Sequence, residues 1–450
     1  MMKLFPFQRE GVLRMRKLGG RVLLADSMGL GKTIQALVYI RASKSHLPAI
    51  VVCPASVKWV WEQEARRLGL SSDVLNGQTP HKIDKAVNVI IINYDVLHWW
   101  LPTLRLIGAR TVVIDECHYV KSRSAKRTKV VKLLCKGVPH VLALSGTPMT
   151  NRPAELWPTL NLLRPDLYPA FWPFAQAYCG LSHNHFGWDW SGATNVDRLN
   201  AQLTKHVMIR RRKEDVLPEL PAKLRTMIPC ELSNRSEYKG AVDDFESWMT
   251  ENFSSTKQQV PAMVQLGYLL RLVSELKAAS VSQWIDDHLA GNGEKLVVFA
   301  KHHKMIDSIL ANSRYESVCI DGNTPVGDRE AAVDWFQRGP VRLFVGNIQA
   351  AGIGITLTAA STVAFAELDW VPANMTQAED RCHRIGQRQP VWIYYLVARD
   401  TVEQLMCRAL MNKQKVVDDV IDGVETVDRF NVFDAVIGGF QWKTKKKAAR

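Results

Sequence analysis

Lys32 and Thr33 close the stretch ADSMGLGKT (25–33), in which Gly29 and Gly31 take side chains away where a backbone must pass close to a partner. An ammonium and a hydroxyl at the end of a glycine turn, with helix-forming residues next, suit phosphate oxygens and a Mg²⁺ ion. Asp26 stands where the full G-x-x-x-x-G-K-T pattern has its first glycine. The candidate nucleotide contacts are Asp26, Ser27, Met28, Gly29, Leu30, Gly31, Lys32 and Thr33. Asp115 and Glu116 end the apolar run TVVID and form a second constellation. One carboxylate there can hold Mg²⁺, and its neighbour can orient and deprotonate an attacking water. Two acids after a strand commonly open only a loop, but beside a glycine-lysine-threonine turn they read as hydrolytic machinery. Ser145 and Thr147, in LSGTP, are small hydroxyls suited to linking those acids to other parts. Arg381 and Arg384 lie three apart in QAEDRCHRIGQ (377–387), one face of an expected helix turn. An arginine reaching a leaving γ-phosphate stabilises its charge, whereas a solvated salt-bridge helix is the bland alternative. Gln8, in LFPFQREGV (4–12), carries the donor and acceptor that an adenine edge needs, and only its place before the glycine turn recommends it.

Such groups need strands to carry them. VLLA (22–25), AIVVC (49–53), VIIIN (89–93), TVVID (111–115) and VLALS (141–145) are continuous apolar runs, which predicts a parallel sheet buried on both faces. Ligands bind at the carboxyl ends of such strands, where the polar residues of these runs fall. A second set follows at LVVFA (296–300), VCID (318–321), RLFVG (342–346), TVAFAE (362–367) and VWIYYLVA (391–398). The expected fold class is therefore α/β, two parallel-sheet lobes with helical insertions between them. Lobe 1 is expected over 1–215 with an insertion at about 151–205, a connector or helical protrusion over 216–262, and lobe 2 over 263–425. A C-terminal extension with a basic tail, KTKKKAAR at its end, fills 426–450. ENFSSTKQQVPA (251–262) is the most linker-like piece.

The 450 residues carry a formal charge of +14, which points to a polyanionic partner, nucleic acid first. KSRSAKRTKVVK (121–132) reads as a basic helix that grips phosphates or as a solvated face. The eight cysteines are scattered with no C-x-x-C pair, so reduced thiols inside a cell are expected, and no zinc site. No signal-peptide pattern opens the chain. The uncharged stretch 343–366 is long enough to span a bilayer, but its polar groups make strand, loop, strand the reading.

Taken in order, these motifs resemble the helicase-like ATPases of superfamily two, in the Swi/Snf branch. LFPFQREGV, ADSMGLGKT, VVCPASVKWVWEQE (51–64), VIDECH (113–118) and LSGTP (144–148) are similar to the motifs of the first lobe, IDGNTP (320–325), GIGITLTAA (352–360) and QAEDRCHRIGQ to those of the second. FGWDWSG (186–192), MIRRRKEDVLPELPAK (208–223) and VAFAELDW (363–370) resemble the annealing-helicase (HARP) subfamily. The resemblance implies RecA-like lobes, ATP and Mg²⁺ as cofactors, and DNA as partner. It implies that Gln8 reads adenine, Lys32 binds β/γ-phosphate, Thr33 and Asp115 hold Mg²⁺, and Glu116 is the general base. Arg381 and Arg384 become arginine fingers, with Gln387 among the nucleotide contacts. Ser145, Thr147, Gly354 and Gln377 are assigned to coupling, and Pro54, Ser56, Asn93, Thr356 and Thr358 to DNA. Ser27 replaces the second acid usual in the first motif, and Cys117 fills the small position of the second. Because the resemblance starts at the adenine segment, the recognition modules that precede the motor in larger members are expected to be missing, and strand annealing is suggested only by resemblance. The expectation is a monomeric DNA-dependent ATPase working with DNA inside the cell, in repair or at replication forks, with an accessory protein supplying fork recognition. The competing expectations are an ATP-gated DNA-binding scaffold, a strand-separating helicase and a nucleosome remodeller.

Overall fold

Apolar runs too continuous for one-sided burial become strands of two parallel sheets, one in each of two units. The computed structural model describes residues 4–149, 152–184, 187–252, 259–351 and 354–410. Unit 1 extends to Glu219 and unit 2 begins at Leu220.

In unit 1 the strands are β1 (Arg21–Leu24), β2 (Ala49–Cys53), β3 (Ser72–Val74), β4 (Val89–Asn93), β5 (Thr111–Asp115) and β6 (His140–Leu144). β7 (Ser182–Asn184) and β8 (Gly187–Asp189) form a separate antiparallel hairpin, and β9 (Met208–Ile209) returns to the main sheet. The sheet order is β3-β4-β2-β5-β6-β1-β9, with every pairing parallel. All five residues of β2 are 0% exposed, as a strand covered on both faces requires. Each such Val or Ile contributes about 1.5–3 kcal/mol on burial. β6 lies between β1 and β5, so the segment after β6 sits between the glycine turn and the acid pair.

Unit 2 holds β10 (Lys223–Cys230), β11 (Leu296–Ala300), β12 (Ser317–Ile320), β13 (Leu343–Asn347), β14 (Thr362–Phe365) and β15 (Val391–Ala398). Their order is β10-β15-β14-β11-β13-β12, again all parallel. β10 falls within the stretch read as a helical connector. It pairs along its whole length with β15, from Lys223 opposite Val391 to Cys230 opposite Ala398. As an edge strand it is largely solvent-facing and tolerates Pro229, so it lacks the apolar run that announces a buried strand. Downstream come the helices Arg235–Asn252 and Gln259–Asn292. The linker-like stretch contributes the ends of both, and its residues 253–258 lie outside the described residues. So do 411–425 and the whole expected C-terminal extension, 426–450 with its basic tail.

The uncharged stretch forms β13, the short helix Ile348–Ala351 and β14. No helix among the described residues is long and apolar enough to cross a membrane. The basic stretch 121–132 is helical only from Lys126, in a helix that runs to Cys135, because Ala125 ahead of it is extended (φ −62°, ψ 139°). Its charges are partly spent on the protein itself: Arg127 pairs with Asp95 at 3.1 Å and Lys132 donates to Asn161 Oδ1 at 2.8 Å.

Glu367, just past β14, ties unit 2 together by accepting from the backbone N–H groups of Lys301 (2.7 Å) and His302 (2.8 Å) and pairing with His302 Nδ1 at 2.7 Å. Burial alone would raise its pKa, but the hydrogen bonds from the His302 side chain and backbone hold it down to about 2. A carboxyl depressed in the folded state stabilises the fold above its unfolded value, and that contribution is lost as pH falls through the folded value. Here it is about 3 kcal/mol. Glu367→Gln is expected to lower the thermal midpoint of unit 2 at pH 7 by about 5–10 °C. The gap from the parent should begin to close below about pH 4.5, as followed by circular dichroism.

Candidate active site

β1 delivers the chain to the glycine turn. Gly29 (φ 82°) and Gly31 (φ 73°) both adopt left-handed backbone, which costs a side-chain-bearing residue about 1–2 kcal/mol. The helix Lys32–Arg41 begins at once, aiming its first N–H groups at the turn. The helix Pro6–Lys17 brings Gln8 to the same place. Gln8 is 3% exposed, its Nε2 donates to Leu30 O at 3.2 Å, and its Oε1 accepts from Phe5 N at 3.1 Å. A Cβ on Gly31 would stand 2.6 Å from that Nε2.

Lys32 Nζ donates to Asp26 O (2.8 Å) and Ser27 O (3.3 Å). Burial lowers its pKa, and the Glu116, Asp26 and Asp115 charges oppose that shift. A Cβ on Gly146 would come within 2.4 Å of Met28 Cγ and 3.3 Å of this ammonium, so the space beside Lys32 needs glycine there.

β5 delivers Asp115, and the chain then turns through Glu116 in a left-handed conformation (φ 49°, ψ 58°). Asp115 Oδ2 accepts from Trp61 Nε1 at 2.7 Å, and Oδ1 accepts from Glu116 N at 3.0 Å. Burial, and then the Glu116 charge, push the Asp115 carboxyl above the ordinary carboxylate range. Ser145, 0% exposed at the end of β6, donates from Oγ to Glu116 Oε2 at 3.3 Å and accepts from Thr147 N at 3.1 Å. His118 Nδ1 lies 3.3 Å from both Ser145 Oγ and Glu116 Oε2. Lys32, Asp115, Glu116, Ser145 and Thr147 are thus brought to neighbouring strand ends. Two adjacent carboxylates, of which burial raises the pKa of Asp115, form a donor set that a divalent cation suits. The glycine turn and Lys32 suit the phosphates that accompany it. The residues fit a Mg²⁺–nucleotide.

Asp26 plays a different part from the one expected. Its side chain is 0% exposed and is clamped by Arg211, whose Nε donates to Oδ1 at 2.9 Å, and by Gln35 Nε2, which donates to Oδ2 at 3.0 Å. Met28 (6%) and Leu30 (0%) likewise turn their side chains into the core, leaving backbone to face a phosphate. Ser27 and Thr33 are half-buried. Arg211 also donates to Phe7 O, and Arg210 Nη1 donates to Ala25 O at 2.9 Å. These arginines organise the glycine turn from 185 residues away, and sequence reasoning missed them. The available signal is the RRR run after a buried Met208–Ile209 pair. Trp61 was missed as well, although it sits in a quoted motif. Fully buried, it holds the orientation of Asp115. Tyr94 does the same for the backbone, donating from its OH to Asp115 O at 2.6 Å.

The expected DNA-facing strand ends are only partly open. Pro54 and Asn93 are buried, whereas Ser56 is half-buried and Ala55 and Asp95 are exposed. Asn93 Oδ1 accepts from Lys58 Nζ at 3.3 Å, and Nδ2 donates to Asp95 Oδ2 at 3.3 Å.

In unit 2 the helix Pro372–Glu379 carries buried Gln377 and stops before the two arginines. Arg381 and Arg384 therefore sit in the turns that follow rather than on a helix face. Tightened bonds such as Cys382 N to Glu379 O at 3.1 Å end the helix there. The arginines still converge: Nη1 of each donates to Ile355 O, at 3.3 and 3.2 Å. β10 anchors this corner, with Lys223 3.1 Å from Glu379 and 2.7 Å from Asp380, and Arg225 2.7 Å from Glu379. Gln387 was expected to contact nucleotide. Instead its Nε2 donates to Ala360 O (2.8 Å), Cys382 O (3.2 Å) and Thr358 O (3.3 Å), while Oε1 accepts from Arg388 and Gln389 N–H groups, so its amide staples the turn. Gly354 takes left-handed backbone (φ 81°). Thr356 and Thr358 are half-buried, and Thr358 Oγ1 accepts from Gln337 Nε2 at 3.2 Å.

The family model described as SNF2-related domain matches residues 7–278, and the helicase conserved C-terminal domain matches 277–386. The SWI/SNF-related matrix-associated actin-dependent regulator of chromatin subfamily A-like protein 1 of Xenopus laevis is 36% identical over 421 residues, 92% of this chain and 43% of that protein. The DNA annealing helicase and endonuclease ZRANB3 of Homo sapiens is 34% identical over 443 residues, 94% of this chain and 40% of that protein. The chain thus spans less than half the length of these two relatives. A solved SWI2/SNF2 ATPase core of Sulfolobus solfataricus in complex with dsDNA is 26% identical, covers 93% of both chains and gives a TM-score of 0.45.

Proposed function

The chain belongs to the SNF2-related family of helicase-like, DNA-dependent ATPases, and from that premise we propose that it is an ATP-driven DNA translocase that rewinds strands at forks. The observation that carries the reading is the meeting of Lys32, Asp115, Glu116 and Ser145 at adjacent strand ends of unit 1. The rewinding part rests on the annealing-helicase relatives. When bound, Mg²⁺ supplies charge neutralisation to the β- and γ-phosphates. Thr33 and Asp115 would hold it, Lys32 would bind the same phosphates as a cation, and Gln8 would read the adenine edge. Glu116 would take the proton from the attacking water, with Ser145 and Thr147 fixing its carboxylate. Arg381 and Arg384 are proposed to stabilise charge on the departing phosphate, with Gly354 and Gln377 coupling that step to DNA held near Ser56, Thr356 and Thr358. Such a motor works with DNA inside the cell.

ATP turnover measured against single-stranded, blunt duplex and forked DNA tests the proposal. Duplex or forked DNA should raise the rate at least about tenfold, and binding should weaken steeply with salt. A triplex strand should be displaced while a fork stays paired. Absence of stimulation by every DNA would favour the ATP-gated scaffold, and release of a strand from the fork would favour a true helicase.

A further inference from the structure

Unit 1 holds a second recess, a cavity of about 250 Å³ between the segment after Glu116 and the insertion after Thr147. Lys121, Arg123, Arg152, Trp157, Phe171 and Trp190 line it. The Arg123 guanidinium lies 4.0 Å over the Phe171 ring and 5.5 Å from the rings of Trp172 and Trp190. Trp157 Nε1 is buried and has no hydrogen-bond partner among the described residues. At the rim two further indoles, Trp172 and Trp188, stand 6.0 Å apart and are 45% and 54% exposed. Trp188 is presented by the β7–β8 hairpin.

Packing explains Phe171, which is 7% exposed, but the two neighbouring indoles each leave about half of their surface in solvent. The ligand must therefore offer flat faces to stack. It must also carry negative charge, since Lys121, Arg123 and Arg152 outnumber the one acid of the lining, Glu155, which sits 3.6 Å from Lys121. An acidic peptide would use the cations and leave the indoles idle, and a methylated ammonium would be repelled by Arg123. Duplex DNA keeps its base faces inside the stack. The volume is below the range for drug-sized ligands and suits one phosphate with its sugar, leaving the base to the rim.

We propose that this cavity and its two rim indoles bind an unpaired nucleotide of single-stranded DNA, its base stacked on Trp172 or Trp188 and its phosphate held by Lys121 and Arg152. The inference rests on the reading of the chain as a DNA motor and gives that motor a contact for single strands apart from its duplex track.

The test uses the full chain, a labelled oligothymidylate, a blunt duplex and a fork with single-stranded arms. Trp172→Ala with Trp188→Ala should weaken oligothymidylate and fork binding about tenfold, since stacking on an aromatic is worth about 1–3 kcal/mol per base. Blunt-duplex affinity and duplex-stimulated turnover should stay at parental levels, and Trp172→Phe with Trp188→Phe should restore most single-strand binding. Photocrosslinking of a 5-iodouridine oligonucleotide to the unaltered chain should mark Trp172 or Trp188, independently of how the variants fold. Unchanged oligothymidylate binding, an equal loss for duplex and single strand, or crosslinks confined elsewhere would overturn the inference while leaving the motor standing. Failure of the parent to respond to any DNA would instead remove the motor reading itself.

Discussion

Lys32→Ala is expected to cut ATP turnover at least about 100-fold, the scale for removing a preorganised charge from a phosphate site. The loss should fall on chemistry rather than on folding. Lys32 Nζ touches only backbone oxygens of the turn, at Asp26 and Ser27, among the hydrogen bonds described for it. The turn keeps its shape through other contacts: the left-handed glycines, the Gln8 amide on Leu30 O, and the Asp26–Arg211–Gln35 clamp. DNA affinity and thermal midpoint should therefore stay near parental values. Phosphate release at saturating ATP and DNA reads the first effect, and duplex titration reads the second. Glu116→Gln is the matched control, with the side-chain shape kept and the base removed, and about 10²–10⁴ in rate is expected to go with it. Parental turnover in either variant would dismiss the assigned site.

Arg384→Ala is expected to cost on the order of 10³ in turnover, as removal of an arginine finger does, with ATP binding little changed. The two arginines share the Ile355 carbonyl but differ in setting. Arg381 is 9% exposed and also donates from Nε to Gln377 O at 3.1 Å, so its loss should disturb the fold of the turn as well as turnover. Arg384 is half-buried, which makes it the cleaner probe. Arg384→Lys keeps the charge and loses the planar fork, so an intermediate rate is expected. Stopped-flow phosphate release with a fluorescent nucleotide to follow binding separates the two steps. A parental rate in Arg384→Ala would end the assignment of this segment to hydrolysis.

What could be read in the sequence follows from how local each signal is. The continuous apolar runs marked the main parallel strands of both units, because burial on two faces leaves a pattern inside five residues. That Lys32, Asp115 and Glu116 would come to neighbouring strand ends was legible for the same reason, since strand, turn and polar group are contiguous. β10 was not, since an edge strand facing solvent carries no such run. The clamp on the Asp26 side chain was not legible, because its partner, Arg211, is brought beside it only by the pairing of β9 with β1. Spacing put Arg381 and Arg384 on a helix, yet the helix ends at Glu379, where Lys223 and Arg225 of β10 hold the Glu379 carboxylate. Gln387 has the chemistry of a ligand contact, and only the folded turn reveals that its amide is already committed.

The Arg211 clamp sets a lower limit on how small a working ATPase fragment can be made. The five stretches that resemble the first-lobe ATPase motifs end by Pro148, and a designer trimming by them would stop there. Such a fragment would strip β1 of its outer neighbour and strand the Asp26 carboxylate in an apolar interior without its counter-ion, a defect of about 3–5 kcal/mol. Split reporters, circular permutants or crystallisation fragments built from this half should therefore keep the polypeptide through Arg211.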